Sequence, residues 1–292
     1  APPTATAWLT RLESLPNDRF LLQFGDADLA AQAGAGLKTP LTVGSLDPFL
    51  NTSEKPSGTP TPAPSPTAGA PAPPAGGNLG TVAGARTDVL WPRGQVTASE
   101  IATMAGYAPA GSPGAVSILP STTFASGAKD EPVAPHGMVD GTGVLVTDAA
   151  VSEALSHAAT ASDDTQRGAA LTEANAMLSF AAPGSAVLAG LSRADVRSET
   201  GLTTAVTSFA GTQDPHLSSV LSVLPSTLTV TTTSAEDRAK AIPVLNEDAA
   251  RLAEFATILE RPADLTVRET ISIMRLLGVG VYPTPADFAT AL

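Results

Sequence analysis

The sequence predicts an α/β fold, an incomplete or irregular (β/α) barrel with a C-terminal helical appendix. Short apolar runs that resemble buried strands alternate with helical patterns, which is typical of βα units around a parallel sheet. Six such strands are expected, at residues 19–24, 88–92, 115–119, 143–147, 185–191 and 228–232. The last part of the chain instead repeats apolar residues at helical spacing, over 244–259 and 265–277, with a further short helix expected at 285–292.

Helix signals lie between the predicted strands. Helices are expected at 6–15, 29–35, 149–159 and 164–182. Thr97 and Glu100 have the spacing of a capping box, so another helix should run from there to about Gly106. Asp148 is the expected N-cap of the helix at 149–159.

A segment rich in proline, alanine, threonine and serine interrupts this pattern. Residues 53–77 contain eight prolines and four glycines and have no large aliphatic or aromatic side chain. Burial of such a segment cannot offset its loss of conformational entropy, so we expect a flexible, disordered insertion that can be deleted with little change in Tm. The helix–strand–helix unit before it is too small to fold alone. We therefore expect one barrel-like domain formed by 1–52 and 78–240, with the helices of 241–292 packed on it.

Composition excludes several classes of function. The 292-residue chain has a net charge of −12 and a pI near 4.6, which disfavours binding to nucleic acid or to anionic lipid. It has no cysteine, and therefore no disulfide, thiolate metal site or cysteine nucleophile. No apolar run is long enough for a transmembrane helix, so membrane insertion by this segment is not expected.

The location of the protein is expected to be extracytoplasmic. The sequence begins at Ala1 without a methionine, as expected for part of an exported protein. Linkers with the composition of residues 53–77 are common outside the cell in high-GC bacteria.

Three aspartates are candidate catalytic residues. Asp26 and Asp28 follow the first predicted strand, and Asp148 follows the strand at 143–147. Barrel enzymes place their sites at the carboxyl ends of parallel strands, and paired carboxylates there can carry out glycoside hydrolysis. The alternative is structural, because Asp28 or Asp26 can cap the helix at 29–35 and Asp148 the helix at 149–159.

Three further residues are candidate ligand-binding residues. Trp91 ends a strand at the same rim, where it can stack on a sugar ring or pack in the core. His136 and Asp140 lie in a predicted loop and can face one cleft, although an ordinary loop histidine is the alternative. His157 and His216 are expected to be structural, the first late on the helix at 149–159 and the second at the start of a further short helix. The histidines have no metal-binding spacing, and neither a metal site nor a cofactor is expected.

Three short segments carry a resemblance to a known family. Phe24-Gly25-Asp26-Ala27-Asp28-Leu29, after the Trp8-Leu9 helix, and later Val89-Leu90-Trp91-Pro92 and Val116-Ser117-Ile118-Leu119, resemble segments of a family of large exported actinobacterial cell-envelope proteins of unknown function. The resemblance implies a glycoside hydrolase/deacetylase-like barrel within a larger, membrane-anchored protein. It also implies a departure, because metal-dependent deacetylases use an aspartate with two closely spaced histidines, and this chain has no such pair.

Two functions follow as hypotheses. The first is a non-catalytic envelope module that binds a cell-wall glycan or a protein partner, favoured because no complete catalytic constellation is visible. The second is a carbohydrate-active hydrolase that uses Asp26, Asp28 and Asp148 as acid and base or nucleophile.

Overall fold

A computed structural model describes residues 3–44, 46, 82, 84–109, 112, 114–129, 131–180, 186–211, 217–231 and 262–278. The insertion predicted at 53–77, the helices predicted at 244–259 and 285–292, and His216 lie outside these residues. The described helices are α1 (Pro3–Ser14), α2 (Leu29–Gly34), α3 (Ala98–Ala105), α4 (Ala149–Thr160), α5 (Asp164–Phe180), α6 (Glu199–Ala210), α7 (Leu217–Leu221) and α8 (Pro262–Leu276). The strands are β1 (Val89–Leu90), β2 (Val116–Pro120), β3 (His136–Val139), β4 (Thr142–Thr147) and β5 (Ser226–Thr227).

The strands form one mixed, mostly parallel sheet in the order β1-β2-β4-β3-β5. β1, β2 and β4 run parallel to one another, with Ile118 opposite Leu145 in the register of the β2–β4 pair. β3 is antiparallel to β4 and parallel to β5. The α/β class predicted from the alternating pattern is confirmed, and the core of the sheet consists of the predicted parallel strands.

Both faces of the sheet are covered, because successive residues of a strand point to opposite sides. Val144 and Val146 contribute to one buried cluster together with residues of α2 and α3. Leu145 lies between them in the sequence and joins Val89, Ile118 and Val220 in a cluster on the opposite face. This double burial explains why β4 is an almost continuous apolar run.

Local capping signals predicted the helix starts correctly. The Thr97 hydroxyl accepts a hydrogen bond from the Glu100 N–H at 3.2 Å, and the Glu100 carboxylate accepts one from the Thr97 N–H at 2.7 Å, which completes the capping box of α3. The Asp148 carboxylate accepts from the Val151 N–H at 3.0 Å at the start of α4. Each cap satisfies backbone donors that have no partner within the first helical turn.

Several expected strands are shorter than predicted. Residues 19–24 form no strand: Phe20 makes a single parallel bridge with Arg86, and Phe24–Asp26 is a 3₁₀ turn. The segment expected at 185–191 is reduced, in its described part, to one parallel bridge between Leu188 and Thr147. The pairing expected over 228–232 begins earlier, at β5, and continues only as a bridge from Val230 to Phe124.

Two described elements, β3 and α6, were not predicted, whereas α7 lies where a short helix was expected. β3 pairs with β4 as a hairpin whose two-residue turn is Asp140-Gly141, with φ values of 46° and 83°. This is a type I′ turn, for which Asp-Gly is a favoured pair. α6 packs against α4, and α7 places Val220 in the cluster on the second face of the sheet. Within the part of the chain that the structure describes, no helix is long and apolar enough to cross a membrane.

The first and last described segments pack together. Ala27 and Ala31 form a small buried cluster with Met274 and Leu277 of the α8 region. The Asp28 N–H donates to the Leu277 carbonyl at 3.1 Å. The chain before residue 53 also joins the sheet, since the Arg86 N–H donates to the Arg19 carbonyl at 2.7 Å.

Candidate functional site

Asp26 forms an ion pair with Arg193 at the edge where β1 ends. Asp26 is in the left-handed region, with φ 54°, and follows Gly25, with φ 67°. The Arg193 guanidinium donates to the Asp26 carboxylate, and the two side chains are 14% and 25% exposed, respectively. It also donates to the Trp91 carbonyl at 3.1 Å, so one guanidinium joins the turn before α2 to the loop after β1.

The Arg193 guanidinium also lies over the indole ring of Trp91. Its central carbon is 4.6 Å from the ring centroid, within the range of a cation–π interaction. Trp91 in turn contacts Phe20, with ring centroids 6.0 Å apart. The part-buried Trp91 is therefore held between a cation and a second aromatic ring.

The pKa of the Asp26 carboxyl is raised above its ordinary value of 3.8. Burial is the largest cause, and it outweighs the charge of Arg193, which lowers the pKa. The nearby charge of Asp28 raises it further, whereas that of Arg93 lowers it. Burial likewise lowers the pKa of Arg193. A part-buried carboxyl with a raised pKa has one property of a general acid.

Asp28 caps a helix. One of its carboxylate oxygens accepts from the Ala30 N–H at 3.1 Å, at the start of α2, and from the Arg93 N–H at 2.9 Å, in the loop after β1. The side chain is buried, and the residue is 5% exposed. The capping interpretation of Asp28 is confirmed, and the contact with Arg93 adds a link between two loops.

Asp148 caps α4 and has no described contact with Asp26 or Asp28. Its backbone N–H donates to the Leu188 carbonyl at 2.8 Å. Asp26 and Asp28 are close enough for the charge of one to raise the pKa of the other. Asp148 instead caps α4. No contact of Asp148 supports the expectation that all three carboxylates form one acidic cleft.

His136 and Asp140 are at opposite ends of β3. His136 is the first residue of the strand, where its ring Nδ1 donates to the Val223 carbonyl at 2.7 Å. Asp140 is exposed in the hairpin turn. His136 therefore lies in a strand and not in the predicted loop, and about 13 Å of extended backbone separates it from Asp140. The expectation that the two residues face one cleft stays a prediction.

A cavity of about 360 Å³ lies beside Trp91 on the second face of the sheet. Of its eighteen lining residues, Asn17, Asp18 and Thr147 have a side chain that carries oxygen, and Asp18 is the one ionisable residue. Its walls come from the sheet, the 187–191 segment, α6 and α7. This volume is within the range of small-molecule sites.

The sequence analysis missed Arg193 and this cavity. Arg193 is a single cation in an irregular segment, without a periodic pattern, and it meets Asp26 across 167 positions. The cavity depends in part on α6, which was not predicted. A signal was available for α6, since Ser198 and Glu199 are followed by apolar residues at helical spacing, and the Ser198 hydroxyl accepts from the Gly201 N–H at 2.9 Å.

The described residues contain no group of three or more histidine, aspartate or glutamate side chains that can hold a metal ion. Comparison of the chain with protein-family models, with curated proteins and with solved structures returns no match. The family resemblance therefore stays a prediction, and the function has to be argued from the site itself.

Proposed function

We propose that the chain is a non-catalytic, extracytoplasmic module of the cell envelope that binds a cell-wall glycan or an envelope protein through the cavity beside Trp91. The observation that carries the proposal is the state of the candidate carboxylates. Asp28 and Asp148 cap helices, and Asp26 is paired with Arg193. The cavity, by contrast, is a concave site with an aromatic wall.

The proposal includes the fold and the context predicted from the sequence. An incomplete (β/α) barrel, similar in outline to those of glycoside hydrolases and deacetylases, is supported by two parallel bridges beyond the named strands. One joins Phe20 to Arg86, in the segment leading into β1, and the other joins Leu188 to Thr147, at the end of β4. Export is supported by the composition of residues 53–77. Membership of a larger, membrane-anchored protein is what the family resemblance implies.

Retention on purified envelope material tests the binding function. Wild-type protein should sediment with washed cell wall, and Val206→Asp should reduce the retained fraction about tenfold. Val206 lines the cavity and is 51% exposed, so the new charge changes the wall of the site without entering the core. Thr207→Asp is the matched control, because it places the same charge on an exposed residue of α6 that does not line the cavity.

The outcomes separate the site from the function. Equal retention of both variants and the wild type would remove the cavity from the binding function. No retention of the wild type on envelope material would contradict the binding function itself. A circular dichroism melt of each variant accompanies the assay, so that loss of fold is recognised.

The second candidate is a carbohydrate-active hydrolase, and the raised pKa of Asp26 is the observation that favours it. Its test is the release of reducing ends from purified cell wall between pH 4 and 7. The binding module predicts no release by the wild type. Release that Asp26→Asn abolishes, with the fold intact, would instead establish the hydrolase.

A further inference from the structure

The lining of the cavity beside Trp91 combines exposed polar side chains with buried apolar ones. Asn17 and Asp18 are both exposed lining residues. Ile118, Leu155 and Ala205 are nearly inaccessible to solvent and line the cavity with carbon alone, and the hydroxyl of the buried Thr147 donates to the Leu119 carbonyl at 3.4 Å. A ligand that matches this lining has a polar part and a hydrocarbon part.

The buried apolar lining selects against a bare sugar. Each buried hydroxyl without a hydrogen-bond partner costs free energy, and these walls offer few partners. A hydrocarbon has no such requirement and gains from leaving water. Trp91 and Phe20 widen the apolar surface available to it.

The exposed polar side chains select for a neutral head group with hydroxyl donors. The Asp18 carboxylate accepts from the Leu217 N–H at 2.9 Å through one oxygen, and an ionised carboxylate has about four acceptor positions, so it can also accept from ligand hydroxyls. An anionic head would be repelled by Asp18 and by the net charge of −12.

We propose that the cavity binds a neutral amphipathic ligand, with its aliphatic chain against Trp91, Ile118 and Leu155 and a hydroxyl-bearing head group at Asn17 and Asp18. This deepens the proposed binding function, on which it rests, by narrowing the ligand to a glycan that carries an aliphatic chain. The cavity volume of about 360 Å³ is near the lower limit of small-molecule sites, which suits a short aliphatic chain.

An alkyl glucoside series tests the proposal directly. The chain has two tryptophans, and Trp8 is 62% exposed on α1, so Trp8→Phe leaves Trp91 as the single indole reporter. Titration of this variant with hexyl, heptyl and octyl glucoside, below their micelle concentrations, follows binding by Trp91 fluorescence. Each methylene that enters the cavity should tighten binding about fourfold, or about fifteenfold from hexyl to octyl.

The variants introduced above locate the binding site. On the Trp8→Phe background, Val206→Asp should weaken octyl glucoside binding at least tenfold, and Thr207→Asp should leave it unchanged. An octyl chain with a sulfate head should bind at least tenfold more weakly than octyl glucoside. A circular dichroism melt again reports whether each variant is folded.

The outcomes distinguish this inference from the binding function. If glucose alone binds as tightly as octyl glucoside, or if affinity is independent of chain length, the proposal for the hydrocarbon is overturned while glycan binding stands. If no glucoside binds but the wild type is retained on cell wall, the inference again fails and the module function stands. If octyl glucoside binds with the expected dependence but cell wall retains nothing, the site is supported and the envelope function fails.

Discussion

The carboxylate of Asp28 accepts a hydrogen bond from the backbone N–H of Arg93, 65 positions later in the sequence. The same oxygen caps α2 through Ala30, so one buried atom fixes both a helix start and the loop after β1. These two hydrogen bonds offset the free-energy cost of burying the Asp28 carboxylate, at a position that is 5% exposed.

Asp28→Ala should therefore destabilise the fold by about 2 to 4 kcal/mol, because it removes a cap and leaves the part-buried Arg93 N–H without this acceptor. Asp28→Asn retains an acceptor oxygen and should cost less than half as much. Urea denaturation of the two variants and the wild type measures the difference. Equal stability of Asp28→Ala and wild type would show that these contacts contribute little.

The contributions of Arg193 and Asp26 to the free energy of unfolding should be coupled, because the two side chains form an ion pair. Arg193→Met keeps the length of the side chain and leaves the Asp26 carboxylate without its counter-ion in a part-buried site. We expect a loss of about 1 to 3 kcal/mol, below the cost of breaking a fully buried pair. In a double-mutant cycle with Asp26→Asn, the coupling should be about 1 kcal/mol, and additive effects would contradict the pairing.

The raised pKa of Asp26 has a consequence for the dependence of stability on pH. A carboxyl whose pKa is higher in the folded state binds its proton more tightly there, so its contribution favours folding below the ordinary value of 3.8 and is lost as pH rises through the folded pKa. The unfolding free energy of the wild type minus that of Asp26→Asn should therefore decrease as pH rises from about 3.5. Urea unfolding of both proteins across this range measures it, and a difference that increases with pH would contradict the sign of the shift.

The hairpin turn should depend on backbone conformation rather than on the charge of Asp140. Gly141 has φ 83°, so Gly141→Ala should cost about 1 to 2 kcal/mol. Asp140→Asn keeps a residue that tolerates positive φ and should be nearly neutral in stability. Thermal melts compare the two. A loss of ligand binding in a fully stable Asp140→Asn protein would support Asp140 as a binding residue.

The parts of the fold that the sequence predicts correctly are encoded locally. Thr97 and Glu100 lie within one helical turn, so their capping box is visible in four letters, and Asp148 is adjacent to the helix that it caps. The Asp140-Gly141 turn is equally local, but β3 begins with His136-Gly137, which disguises its strand character. The Asp140-Gly141 pair predicts this hairpin, whereas the apolar pattern of the flanking residues does not.

The remaining features depend on partners far away in the sequence. The apolar run at 19–24 looks like a strand, yet its pairing depends on what lies beside it, and the structure provides only the bridge from Phe20 to Arg86. Arg193 is indistinguishable in sequence from any surface cation until the fold places it over Trp91. Candidate sites built from loops are for this reason harder to predict than helix caps.

The contacts of the Asp26–Asp28 turn also constrain the order in which the chain can fold on the ribosome. Synthesis proceeds from the N-terminus, so Asp26 is made long before its partner Arg193. The carbonyl of Leu277, which accepts from the Asp28 N–H, is made later still. The sheet from β1 to β4 can form in the interval, because its partners lie within some sixty residues. The turn that carries both aspartates is thus made well before Arg193 and Leu277 and is among the last segments of the described chain to acquire its native partners.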